Sequence, residues 1–189
     1  MKRMVSYATT ALVIWGTAAT AEHAPLLSDY HPLSVERQSS FGQSTTELAV
    51  RASLRMLPYY GVFDHLAYRV DGDVVTLYGE VLRPELIHDA QHVVKELDGV
   101  YHVHNMIRLL TDSPAENEVR KRVFMSIYGD SRFSPYTLVS GGGIHIVVEG
   151  NRVTLDGEVS SDSDRRLLAL RVSGLQGVFH VVDHLTVCH

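Results

Sequence analysis

One pattern, written twice, constrains this chain more than anything else in it. Gly72-Asp-Val-Val-Thr-Leu-Tyr-Gly-Glu-Val81 returns as Gly150-Asn-Arg-Val-Thr-Leu-Asp-Gly-Glu-Val159, and Gly99-Val-Tyr-His-Val103 returns as Gly177-Val-Phe-His-Val181, both at one constant offset. A repeat of this size means that one supersecondary unit is used twice, so the 189 residues divide into two small domains. Any function has to be read against that duplication.

The units come into view when the chain is taken in order. Ser44-Thr-Thr-Glu47 has the spacing of a capping box and predicts a helix start, with Val50, Leu54 and Leu57 at helical spacing before Pro58 stops the run. Tyr68 to Val81 alternates with a period of two around Asp71-Gly-Asp73 and predicts a β-hairpin. Behind Arg83-Pro84, the residues Leu86, Ile87, Ala90, Val93, Val94 and Leu97 share an arc of about 120° on a helical wheel. Tyr101 to Leu110 then alternates as a third strand.

After a linker, Thr111 to Pro114, the order repeats: helix Ala115 to Tyr128, hairpin Ile144 to Val159, helix Asp162 to Leu175 and strand Phe179 to Val187. The fold class is therefore α+β: two small αββαβ sandwiches in tandem, each a three-stranded sheet with two helices on one face. The units span 44–110 and 115–189. The second copy carries an insertion in Gly129 to Gly143, where a duplicated scaffold has room to acquire a separate task.

Inside the repeat the residue types are structural. Val75, Leu77, Gly79, Val81, Val103, Ile107 and Leu109 fall on one face, and Val153, Leu155, Gly157, Val159, Val181, Leu185 and Val187 repeat them. Gly99 and Gly177 read as helix stops with positive φ. Gly79 and Gly157 lie within strands, where glycine permits a close helix approach or a bulge.

The start of the chain has the form of an export signal. Lys2 and Arg3 precede an apolar core, Val5 to Trp15, and Ala19-Thr-Ala21 offers a small-residue cleavage site, so 1–21 reads as a signal peptide cut after Ala21. The apolar run is short of the roughly 20 residues a bilayer span needs. Residues 22–43, with Pro25, Pro32 and four serines, read as a flexible tether. Losing Lys2 and Arg3 would take the 17 basic residues to 15 against 22 acidic ones, which argues against nucleic acid as a partner. Cys188 is the only cysteine, so no internal disulfide can form.

The paired Gly-x-Val-Thr-Leu-x-Gly-x-Val hairpins, each followed by a helix and by Gly-Val-x-x-Val with Asn105 or Asp183 two positions on, resemble the BON domain, named for bacterial OsmY and nodulation proteins. The resemblance implies an exported, non-catalytic domain of the cell envelope. It implies phospholipid surfaces or envelope proteins as partners and a role in envelope integrity or stress tolerance. Similar tandem proteins can be lipid-anchored, but no Cys stands near Ala21 to be acylated.

Candidate sites are few. There is no nucleophile elbow, phosphate loop, HExxH or Cys-His arrangement, and Glu80 and Glu158 lack an evident partner, so the chain reads as a non-enzyme without cofactor. His88 and His92 have chelating i, i+4 spacing but lie opposite the apolar arc, and no metal site is assigned to them. His102 with His104, and His180 with His184, project from the helix-free sheet faces and would form a cation-binding site if those faces met.

The helix Glu116 to Tyr128 differs most from its counterpart. Val119, Val123 and Ile127 form its inward stripe, leaving Phe124, Met125 and Tyr128 interleaved with Arg120, Lys121 and Arg122. Apolar side chains flanked by cations suit an anionic phospholipid surface, and these six residues are the expected lipid-binding set. The competing expectation is that Phe124 and Tyr128 pack against the other unit or under the insertion.

Overall fold

The computed structural model of the protein describes residues 31–32, 44–136 and 143–188. The first unit runs α1 (Thr45–Arg55), β2 (His65–Asp71), β3 (Val74–Val81), α2 (Pro84–Lys95), β4 (His102–Asn105) and β5 (Arg108–Leu109). The second runs α3 (Pro114–Tyr128), a 3-10 turn Ser134–Tyr136, β6 (His145–Glu149), β7 (Arg152–Val159), α4 (Asp162–Ser173) and β8 (His180–Val187). Both are the expected α+β sandwich. In each, the hairpin strands are antiparallel and the last strand joins the second hairpin strand in parallel.

The expected signal peptide and most of the tether lie outside the described residues. Two tether residues, however, form β1 (His31–Pro32), which pairs antiparallel with Ala67 and Tyr68 on the outer edge of β2.

Local signals in the sequence account for the element ends. Ser44 caps α1 with both arms of the capping box in place: its hydroxyl accepts the Glu47 amide at 3.2 Å and the Glu47 carboxylate accepts the Ser44 amide at 2.9 Å. Helix α1 ends at Arg55, ahead of the expected stop, because Pro58 disfavours helical backbone at Leu57. Leu57 is buried all the same.

The cores follow the period-two and period-3.6 patterns. Val50, Leu54, Leu66, Val75, Leu77, Val81, Leu86, Ala90 and Val94 are fully enclosed in the first unit, and Val123, Ile127, Ile146, Val153, Leu155, Leu168 and Val172 in the second. Part of the second unit's insertion fills its own core, since Phe133 and Tyr136 are buried there.

Two details depart from expectation. Leu109 is half exposed and Leu110 is buried in its place, because the third strand breaks after Asn105 and resumes only as the two-residue β5. And what crowds Gly79 and Gly157 is not a helix. A Cβ there would lie 2.0 Å from the His65 carbonyl oxygen and 2.3 Å from that of Gly143, both backbone atoms of the adjoining chain.

Both units make the same side-chain contact at this point of the edge strand, which breaks in the first unit and runs on unbroken as β8 in the second. Asn105 accepts the Ile107 amide at 3.1 Å and donates to the Ile87 carbonyl on α2 at 2.7 Å. Asp183 accepts the Leu185 amide at 3.0 Å and holds Arg165 of α4 at 2.9 Å. One side chain thus pins the edge strand to the second helix in each unit. Asn105→Ala is expected to cost about 1–2 kcal/mol, as for lost hydrogen bonds that leave the Ile107 amide without its acceptor, and a lower urea midpoint with native circular dichroism would record it.

Candidate functional site

The six residues expected to meet lipid do not share one environment. Lys121 and Arg122 are exposed, and Met125 is 61% exposed. Phe124 is at the edge of exposure, with its ring 6.0 Å from Phe63 of the first unit and 5.0 Å from Tyr128. Tyr128 is half-buried. Its hydroxyl donates to the Ile144 carbonyl at 2.6 Å and accepts the Ile144 amide at 3.2 Å, and burial pushes its pKa up to about 12.

Arg120 departs furthest from the expectation. It is 2% exposed, and its guanidinium donates to Thr111 O at 2.9 Å, Val148 O at 3.0 Å and Asn117 Oδ1 at 2.8 Å. It therefore sews the linker and β6 to α3 and offers no charge to a surface. Its place on the helix explains this: position 120 borders the Val119–Val123–Ile127 stripe, and a long aliphatic stem lets a cation follow that stripe inward.

Phe63, Leu82, Asn117, Arg120, Lys121 and Phe124 line a groove of about 390 Å³ between the units. A larger cleft of about 590 Å³ adjoins the first turn of α3, but two of its polar groups are already engaged: Glu116 accepts the Gly150 amide and Arg122 donates to Gln176 O.

The units are docked, and the segment Tyr60 to His65 does most of it. The Val62 carbonyl accepts the Ile146 amide at 2.7 Å, capping the outer edge of β6, while Val62 and Phe63 pack against the second core. On the helix-free side Tyr60 stacks on His145, with ring centroids 5.0 Å apart, and His145 Nδ1 lies 3.1 Å from Gly61 O. A carbonyl can only accept, so Nδ1 carries the proton. His145 and Asp156 are almost fully buried by this contact.

Charges alternate across the seam. His65 of the first unit stands 3.6 Å from its own Glu80 and 3.7 Å from Asp156 of the second. Glu80 also holds Arg108 at 2.7 Å, and Arg108 reaches Glu149 of the second unit at 3.0 Å. Burial acts to lower the pKa of His65, but the Glu80 and Asp156 carboxylates outweigh it and hold the imidazole above its ordinary value. For His145, burial and the neighbouring His65 both depress it.

This seam was not anticipated. His102, His104, His180 and His184 are exposed, and among the described residues no group of three or more His, Cys, Asp or Glu could hold a metal ion. The available signal was Asp156, a carboxylate where the motif of the first unit has Tyr78.

The BON domain family model matches residues 44–111 and again 133–189, together more than half of the chain. The chain belongs to the BON family. BON domains are generally non-catalytic, and they mark a membrane- or envelope-associated binding module. The second match begins at residue 133 and leaves α3 outside it.

No curated protein matches the chain. Among solved structures, the C-terminal domain of CdsD, the structural protein of the type III secretion system of Chlamydia trachomatis, is 10% identical, with 78% of this chain and 100% of that chain covered at a TM-score of 0.32. A second CdsD structure is 11% identical, with 75% and 91% covered at a TM-score of 0.31. At these scores neither the arrangement nor the role of CdsD carries over. No described helix is long and apolar enough to cross a membrane.

Proposed function

We propose that this tandem BON protein is exported, with cleavage after Ala21, and acts in the envelope as a non-enzymatic module that binds anionic phospholipid through its second unit, residues 115–189. The observation that carries the reading is the groove between the units. Its walls are Phe63, Leu82 and Phe124, and Lys121 stands at its rim beside the exposed Met125. Apolar side chains can enter the headgroup region there while the cation meets phosphate. The lipid-facing set is then Lys121, Arg122, Phe124 and Met125, with Arg120 and Tyr128 holding the scaffold beneath.

Co-sedimentation with vesicles of phosphatidylglycerol and phosphatidylcholine tests it. Each cation near an anionic surface contributes about 1 kcal/mol, so Lys121→Glu, which removes one and adds its opposite, is expected to lower partitioning roughly 30-fold at low salt. Lys121 is exposed, so the melting temperature should not move. Unchanged binding by Lys121→Glu combined with Met125→Ala would end the lipid reading.

One observation favours a second reading, an adaptor for envelope proteins. Tyr101 and Phe179, at equivalent positions of the two copies, are 75% and 73% exposed, each followed by an exposed histidine. Absence of vesicle binding together with loss of a protein partner in Tyr101→Ser would favour the adaptor.

A further inference from the structure

The side chains that join the two units include two enclosed histidines in opposite electrical settings. His65 lies between the carboxylates of Glu80 on β3 and Asp156 on β7, where a positive imidazolium completes the alternating row Asp156, His65, Glu80, Arg108, Glu149. His145 on β6 is 1% exposed, spends its Nδ1–H on Gly61 O, and has a buried Nε2 with no hydrogen-bond partner. A proton on that Nε2 would be a buried charge next to His65, and the pull of Asp156 and of the Gly61 and Asp64 backbone does not offset those two penalties.

We propose that docking of the two BON units is a pH-sensitive contact, firmest with His65 protonated and His145 neutral, and loosened by either acid or alkali. The seam lends itself to this because most links between the units run through these two residues and the row they belong to. It goes beyond the lipid reading and does not depend on it, though it bears on the same groove, since Phe63 and Leu82 come from one unit and Phe124 from the other.

The sign follows from linkage. Against burial, Glu80 of its own unit and Asp156 across the seam hold His65 above 6.5; the Asp156 share belongs to docking, so it is complete below 6.5 and is lost as pH climbs through the raised value. His145 is lowered from 6.5, so its contribution is complete above 6.5 and is lost as pH falls through the depressed value. Together they place the optimum close to 6.5. The other groups facing them act outside that pattern. Glu80 is lowered from 4.5 and matters only in stronger acid. Burial holds the Asp64 carboxyl above its ordinary value in spite of the Gly61 and Leu82 amides it receives within its own unit, so it too titrates only on the acid side. Burial pushes the Tyr60 hydroxyl far up, and Arg108 stays charged throughout.

The Ile146 amide reads docking directly, because its acceptor, Val62 O, belongs to the other unit. Its hydrogen-exchange protection in the full chain, referred to the intrinsic rate at each pH, is expected to peak near pH 6.5 and to fall about threefold or more by pH 5 and by pH 8.5. Protection of Met106 and Phe179, whose acceptors Leu77 O and Asn151 O lie within their own units, should stay flat. His65→Lys, charged across the range, should abolish the alkaline fall. His145→Asn, which keeps a donor for Gly61 O but cannot take a proton, should abolish the acid one.

A flat Ile146 profile, or one that both variants leave unchanged, overturns the proposal. Should a variant fail to fold, imidazole resonances of the wild-type chain decide: His65 must titrate above 6.5 and His145 below it, and coincident titration of the two refutes the mechanism.

Discussion

Gly79→Ala is expected to destabilise the first unit by about 4 kcal/mol, enough to unfold a domain of this size at ambient temperature. Two penalties combine. The residue sits at φ +122°, a region that costs an L side chain on the order of 1–3 kcal/mol. Its Cβ would also stand 2.0 Å from the His65 carbonyl oxygen, a backbone atom that cannot swing aside without breaking the β2–β3 ladder. Gly72 separates the two terms, because its φ is +63° but nothing lies within 4 Å of its would-be Cβ. Gly72→Ala should therefore cost only about 1 kcal/mol. Urea denaturation of both variants checks the pair; similar midpoints would show that the clash is relieved at little cost. Gly157 and Gly150 should reproduce the contrast in the second unit, at φ +148° and +58°.

Arg120→Met is expected to lose about 3 kcal/mol from the second unit while leaving its surface charge pattern at Lys121 and Arg122 intact. Methionine fills much of the aliphatic volume but leaves the Thr111 and Val148 carbonyls without their donor. Arg120→Lys should recover only part of the loss, because one ammonium on a shorter reach does not reproduce the guanidinium fork. Guanidinium chloride unfolding measures the stability, and vesicle co-sedimentation well below the transition measures the binding. The expected result is a less stable protein that binds lipid as before, the reverse of Lys121→Glu. Equal loss of vesicle binding in the two variants would return Arg120 to the lipid-facing set.

The contrast between these residues shows which features could be read from sequence. The hairpins, the helix stops and the inward alternation are local, carried by neighbours in the chain, and Gly72, Gly99, Val75 and Leu77 stand where the pattern placed them. Arg120 and Leu109 were misplaced because each sits at the border of its stripe, where the path of a stem or the end of a strand decides between inside and outside. The seam was not legible because it joins positions that the repeat does not relate. His65, Glu80 and Asp156 belong to three strands of two units, and their meeting depends on how Gly61 to Phe63 leave α1. Comparing the copies pointed to α3 and the insertion as the places of difference. The exchange of Tyr78 for Asp156, one of three inside the repeated motif, is what places a carboxylate at the seam.

The carbonyl of Val62 on the Ile146 amide has a consequence for modularity. A sheet edge holding Ile144, Ile146, Val147 and Val148 is the kind of surface that pairs with any extended chain it meets, and here the preceding unit occupies it. The tandem is therefore not two beads on a string that could be cut, reordered or multiplied. The second unit alone would carry a bare adhesive strand, and the first is in this sense its resident chaperone.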